Sequence, residues 1–293
     1  MVELTRRQAL IAAAALSGAA ALHRPAAAVA APTDDAFAAL EGQYNARLGV
    51  YAADLLSSRV VSYRDADRFA MCSTFKTYAS GRVLQMVDRG RLQLHDVAPI
   101  SPGGVLPNSP VTGQAVGSTL TLGDLCAAAL QRSDNTAANL LLSTIGGPPA
   151  VTAFAREIGD DQTRLDRVEP DLNSAILGDD RDTTTPAAMA GGYQNLLTGR
   201  VLSAHSREQL VAWMRGNVTS TMRAGLPVGW ASADKTGTGD YGTTNDIGVA
   251  YGPSTKLVLL ALFARSPSDD ASAPALRPLI ADATKAVFAA LTP

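Results

Sequence analysis

The run Lys256-Leu257-Val258-Leu259-Leu260-Ala261-Leu262-Phe263 constrains this chain most. A segment so short and so apolar reads as the central strand of a sheet, covered on both faces. Its candidate neighbours stand at both ends of the chain. Trp230–Lys235 and Asp246–Tyr251 precede it, while Leu48–Leu55 and Val60–Tyr63, separated by a Ser-Ser-Arg turn, read as a hairpin. Between them the pattern is helical. Thr121 caps a helix through Gln131, and Asn135-Thr136 caps one through Leu142 that stops at Gly146-Gly147-Pro148-Pro149. Thr185-Pro186 and Ser203 start two more. A helix begins at Asp34-Asp35, and a last one runs from about Pro274 with Leu276, Leu279, Ile280, Ala283, Val287 and Phe288 on one stripe. The expected class is α/β, of α+β type: an antiparallel sheet flanked by helices and built from residues 31–64 and 217–293. An all-helical domain, residues 65–216, is inserted, with the site in the cleft between them.

The 293 residues carry a net charge of −2, which offers no basic footprint for nucleic acid. The three histidines, His23, His95 and His205, form no metal-ligand spacing and leave little for a Ser-His-Asp hydrolase. No metal and no cofactor is expected. Arg6-Arg7, the apolar run Ala9–Leu22 and the small residues Ala28-Val29-Ala30 read as a cleavable twin-arginine export signal over residues 1–30. The expected mature protein is secreted or periplasmic, without a stable membrane anchor. Cys72 and Cys126 are read as buried free thiols.

Chemistry concentrates in four stretches. In Ser73-Thr74-Phe75-Lys76 a helical apolar pattern begins just after Ser73, so Ser73 and Lys76 share one face beside a helix N-terminus. A partly desolvated lysine there can activate the serine as a nucleophile; the plain alternative is an N-cap and a solvated lysine. In Ser133-Asp134-Asn135 a second hydroxyl can relay a proton and Asn135 can hold a substrate carbonyl, or the three merely cap a helix. Glu169, fixed by Pro170, with Asn173 nearby, can orient a water, in a loop closed by an Arg167–Asp182 pair; otherwise the loop is simply solvated. Lys235-Thr236-Gly237-Thr238 ends a strand and suits a ligand carboxylate. Gly237 to Gly242 spells Gly-x-Gly-x-x-Gly, but a strand follows instead of a helix, so the dinucleotide reading is rejected.

In this order the four stretches resemble the class A serine β-lactamases, from about Phe37 to Leu291. The resemblance implies that Ser73 attacks a β-lactam carbonyl, with the Ser73 and Thr238 N–H groups as oxyanion hole. The acylation base is Lys76, or Glu169 through a water. Ser133 passes a proton to the lactam nitrogen, Asn135 holds the side-chain amide, and Lys235, Thr236, Gly237 and Thr238 form the carboxylate clamp. Glu169 and Asn173 free the acyl-enzyme. The implied activity is hydrolysis of penicillins and cephalosporins by a monomer. Two rivals share the site: a D-alanyl-D-alanine peptidase and a β-lactam sensor that is acylated without turnover. The chain also departs from the pattern. Thr244 and Thr221 stand where relatives carry an arginine, and Arg277 is expected to supply that charge. Gly239 replaces a cysteine that bonds Cys72 in some relatives, Ser80 stands where Cys126 would find a partner, and Asn108 occupies a gate often held by an aromatic.

Overall fold

The computed structural model describes residues 32–291. The expected export signal lies outside the described residues. Helix α1 (Pro32–Tyr44) leads to the hairpin of β1 (Arg47–Asp54) and β2 (Val60–Tyr63). The short strand β3 (Phe69–Ala70) precedes helix α2 (Phe75–Asp88). Strands β4 (Val97–Pro99) and β5 (Thr119–Thr121) form a small ribbon, followed by helices α3 (Leu122–Gln131), α4 (Asn135–Ile145) and α5 (Pro148–Glu157). Strand β6 (Thr183–Thr184) pairs with β3, and helices α6 (Pro186–Leu197) and α7 (Ala204–Arg215) come next. The chain closes with β7 (Ala231–Thr238), β8 (Thr244–Tyr251), β9 (Leu257–Arg265) and helix α8 (Arg277–Leu291).

The main sheet has the order β2-β1-β9-β8-β7, antiparallel throughout, with the apolar run at its centre as β9. Successive side chains of β9 go to opposite faces. Leu260 and Leu262 pack with Phe37 of α1 and Ile280 and Val287 of α8. Leu259, Ala261 and Phe263 join a second core with Phe75 and Tyr78 of α2, Leu125 of α3, Leu141 of α4 and Tyr193 of α6. Helix α2 lies at the middle of this helical layer, touching α3, α4, α5 and α7.

Four local expectations change. Helix α4 is capped by Asp134, whose carboxylate accepts from Ala137 N at 2.9 Å, instead of by Asn135-Thr136. The same carboxylate accepts from the backbone of Val111 and Thr112, and the Asn135 side chain is released for the site. The Gly-Gly-Pro-Pro stop also starts α5, because a proline in the first turn needs no N–H partner. Strands β7 and β8 extend through the glycine-rich piece to the pair Thr238↔Thr244, and the last helix begins at Arg277.

The β7–β8 edge, which carries the Lys-Thr-Gly stretch, is held by buried carboxyl groups. Asp234 accepts from Asn217 Nδ2 (2.6 Å) and Ser232 Oγ, with Arg223 3.3 Å away. Asp246 Oδ2 accepts from Thr221 N (2.7 Å), Thr221 Oγ1 (2.9 Å) and Met222 N (2.8 Å). Burial, reinforced by Asp234, raises the Asp246 carboxyl well above the usual range. Such a group holds its proton better folded than unfolded. The stability it contributes is therefore full at acid pH and is lost as pH rises from about 4 toward the folded pKa. Asp246→Asn carries no titrating proton. It is expected to flatten this dependence, so that its stability gains on wild type as pH rises from acid to mildly alkaline. Urea unfolding across pH measures this, and parallel curves for the two proteins would refute it.

Candidate active site

Ser73 lies in a 3-10 turn, Cys72–Thr74, that runs directly into α2. Cys72 has φ +47°, a left-handed conformation uncommon for a side chain of any size. The turn is clamped from several sides. Thr74 Oγ1 donates to Met71 O (2.7 Å), Tyr193 OH donates to Thr74 O (2.8 Å), and Asn245 Nδ2 donates to Ala70 O (2.9 Å). Strand β7 passes close by: a Cβ on Gly237 would sit 2.7 Å from Met71 O. Glycine there lets the strand approach the serine turn.

Lys76 is fully buried one helical turn on. Its Nζ donates to Ser133 O (2.8 Å) and Asn135 Oδ1 (2.8 Å), and stands 2.9 Å from Glu169 Oε1. These three acceptors match the three protons of an ammonium. Burial pushes Lys76 below the usual lysine range, while the Glu169 carboxylate pulls the other way. Ser73 Oγ donates to Glu169 Oε1 at 3.2 Å, so nucleophile and carboxylate are in direct contact.

Glu169 is 2% exposed, which removes the solvated-loop reading for this residue. Asp182 closes the loop: it accepts from Asp166 N (2.7 Å), Arg167 N (2.9 Å) and Arg167 Nε (2.5 Å), the pair expected from sequence. Asn139 clasps the glutamate backbone, accepting from Glu169 N (3.0 Å) and donating to Glu169 O (2.9 Å). Asn173 Nδ2 donates to Glu169 Oε2, while Asn173 Oδ1 is buried with no partner among the described residues. Sequence reasoning missed Asn139, although it lies four residues beyond Asn135, on the same face of α4.

Lys235, also fully buried, donates to Ser133 Oγ (3.1 Å) and Thr236 O (2.7 Å). Burial and the Lys76 charge push its ammonium down to about 7. Ser133 itself has φ +56°, and Asn108 steadies its loop by donating to Ser133 O (3.1 Å). Thr236 Oγ1 bonds Thr219 Oγ1 at 2.5 Å; Thr219 is a second residue that the sequence reading missed.

A cavity of about 430 Å³ opens over these groups, lined by Ser73, Asn108, Arg132, Ser133, Asn135, Asn173, Thr219, Thr221, Thr236, Thr238, Gly239, Asp240, Thr244, Asn245 and Arg277. Arg277 is exposed at its rim, the first residue of α8. Neither threonine at the departed positions offers a charge. Thr221 is turned to Asp246, and Thr244 Oγ1 accepts from Leu276 N (2.7 Å), which fixes the approach to α8. Gly239 closes one corner, where a Cβ would meet Asn173 O at 2.5 Å and Cys72 Sγ at 2.7 Å. Cys72 and Cys126 are both free and buried, and burial raises both thiols.

The cleft can therefore bind a carboxylate, activate a hydroxyl and hold a base against it. Comparison with known proteins agrees. A family model described as the beta-lactamase enzyme family matches residues 32–291. Beta-lactamase CTX-M-8 of Citrobacter amalonaticus is 46% identical over 252 residues, covering 85% of this chain and 86% of its own. A beta-lactamase of Streptomyces fradiae is 47% identical over 263 residues, covering 87% and 84%. Among solved structures, the beta-lactamase from Desulfarculus baarsii superposes with TM-score 0.86 at 43% identity, covering 89% of this chain and 97% of its own. The class A beta-lactamase reconstructed as the last common ancestor of Gram-negative bacteria gives TM-score 0.85 at 47% identity, covering 89% and 100%. With fold, length and sequence agreeing over all the described residues, this chain belongs to the β-lactamase enzyme family, among its class A members.

Proposed function

We propose that the chain hydrolyses the amide bond of penicillins and cephalosporins through an acyl-enzyme on Ser73. The observation that carries this reading is the Glu169 carboxylate, 3.2 Å from Ser73 Oγ and 2.9 Å from Lys76 Nζ in a buried setting. Lys76 Nζ is surrounded by acceptors, three within 2.9 Å and Ser133 Oγ at 3.3 Å, which favours the ammonium and leaves it no lone pair to offer. Glu169 is therefore the acylation base in this reading, and Lys76 is the cation paired with it at 2.9 Å. The proton leaves Ser73 Oγ for Glu169 as the oxygen attacks the lactam carbonyl. The Ser73 and Thr238 N–H groups receive the oxyanion. Ser133 Oγ, within reach of both lysines, protonates the departing nitrogen; Lys76 gives Ser133 a proton and takes the one Glu169 gained, so the carboxylate is free again. Lys235, Thr236 and Thr238 take the substrate carboxylate, Gly237 lets their strand approach, and Asn135 takes the side-chain amide.

Deacylation uses the same carboxylate. Glu169 and Asn173 Oδ1, which has no partner among the described residues, hold a water against the ester carbonyl; Glu169 takes its proton and returns it to Ser73 Oγ as the ester bond breaks. A stably acylated sensor has no use for such an arrangement, and the Glu169 loop argues against a D-alanyl-D-alanine peptidase. We read residues 1–30 as a twin-arginine export signal and the mature protein as a secreted or periplasmic monomer. It has no stable anchor in this reading; among the described residues no helix is long and apolar enough to cross a membrane.

Glu169→Ala is expected to cut turnover of benzylpenicillin by about 10³-fold. If any acylation survives, intact-protein mass spectrometry should show the drug persisting on Ser73. A variant that still clears its adduct within seconds would end the Glu169 assignment.

Lys235 binds a carboxylate only in its charged form. In the free enzyme that form is lost as pH rises through about 7. kcat/KM for a penicillin should therefore fall on the alkaline side of neutrality. Lys235→Arg stays charged and should push that limb upward in pH, even if its overall rate is lower. Superimposable pH profiles would exclude Lys235 as the titrating clamp.

Arg277→Ala removes the exposed cation at the cleft mouth. KM for benzylpenicillin should rise about three- to fivefold with kcat nearly unchanged, the size expected of an exposed ion pair. An unaltered KM would show that Arg277 is only a solvated helix start.

A further inference from the structure

A second cavity, of about 170 Å³, shares no lining residue with the catalytic cleft. It lies between the 175–180 segment of the Glu169 loop and the ends of β3 and β9, with Arg68, Arg265, Ile176 and Leu177 among its lining. Its volume holds about five or six water molecules at ~30 Å³ each.

Its lining carries two cations, Arg68 and Arg265, and two carboxylates, Asp179 and Asp180, but neither carboxylate bonds Arg265. Arg265 is half-buried, its side chain makes no hydrogen bond to the described residues, and its Nη1 is wholly enclosed. In the sheet register it faces another cation, Arg47, whose own partner is Asp67. Like charges directly opposed on neighbouring strands are unfavourable. Arg68 reaches mainly neutral oxygens: Gln162 O (3.2 Å), Thr183 Oγ1 (3.0 Å) and Gln162 Oε1 (3.3 Å). Of the nearby carboxylates, Asp179 is engaged by Arg181 at 2.7 Å, and Asp180 stands 4.0 Å from Arg68. Ile176 and Leu177 are 47% and 38% exposed, an apolar pair at the same opening.

A buried guanidinium nitrogen without an acceptor, a second guanidinium and two exposed aliphatic side chains define a ligand chemistry. We propose that this cavity binds a small organic carboxylate with an apolar body, its carboxylate on Arg265 and its body against Ile176 and Leu177. A carboxylate matches the two-pronged guanidinium face and supplies the acceptor that Arg265 Nη1 lacks. Such a ligand bridges the central strand to the 175–180 segment, a few residues from Asn173. By stiffening that segment it tunes the deacylating pair; this consequence rests on the roles given above to Glu169 and Asn173.

Sodium benzoate is a suitable probe, titrated against sodium chloride at matched ionic strength. Thermal unfolding of the wild type should show a saturable rise in Tm. Arg265→Gln should weaken the apparent affinity about tenfold or more, and Arg265→Lys should weaken it less. Arg68→Gln supplies the same comparison if Arg265→Gln does not fold. With benzylpenicillin as substrate, benzoate in this cavity changes kcat, whereas benzoate seated on Lys235 raises KM alone. No rise in Tm, an equal rise in Arg265→Gln or Arg68→Gln, or purely competitive inhibition would each overturn the proposal. The unfolding measurement does not depend on turnover, so it separates this site from the reading of the catalytic one.

Discussion

Everything at the centre of this protein depends on one ion pair in an enclosed place. Lys76 Nζ and Glu169 Oε1 stand 2.9 Å apart with both side chains at 0% exposure. Taking two charges out of water is expensive, and their attraction alone seldom repays it. The remaining capacity of each must be filled. Ser133 O and Asn135 Oδ1 do this for the lysine, and Ser73 and Asn173 do it for the glutamate. The residues that make the pair tolerable are thus the residues that make it reactive. Removing any one leaves a buried charge short of a partner.

The fold supplies these partners from distant parts of the chain. Helix α2 brings Ser73 and Lys76, the α3–α4 junction brings Ser133 and Asn135, and a closed loop brings Glu169. The strand edge brings Lys235. That edge is the outermost strand of the sheet, and it is kept in place by buried side chains instead of a further strand. Asn217 and Ser232 hold Asp234, and Thr221 and Met222 hold Asp246. Two lysines then face one hydroxyl, Ser133 Oγ, at 3.3 and 3.1 Å. Their mutual repulsion, added to burial, keeps Lys235 near the point where it changes charge.

The sheet was legible because β9 is a short run apolar on both sides and its neighbours are short runs bounded by turn residues. The four chemical stretches were legible together, since their order and their context of helix start, loop and strand end agree. Other features were not. Asp134 and Asn135 are equally good caps, and only the tertiary contacts with Val111 and Thr112 decide between them. A proline pair after two glycines both ends one helix and starts another. Asn139 and Thr219 act through single hydrogen bonds to residues far away in sequence, which leave no periodicity to detect. Arg265 ends a strand that reads as entirely apolar, so its isolation shows only once Arg47 is placed opposite it.

The corner at Gly239 limits how this architecture can diverge. The backbone there sits against both the Asn173 carbonyl and the Cys72 thiol, and Asp240 N donates to that same carbonyl at 2.9 Å. Any side chain introduced at this position, to admit a bulkier antibiotic for instance, must displace the segment that carries Asn173. In the proposed mechanism, broader substrate range and fast release are therefore coupled through a single missing methyl group. Lineages that widen the entrance here should have to acquire a compensating substitution in the displaced loop.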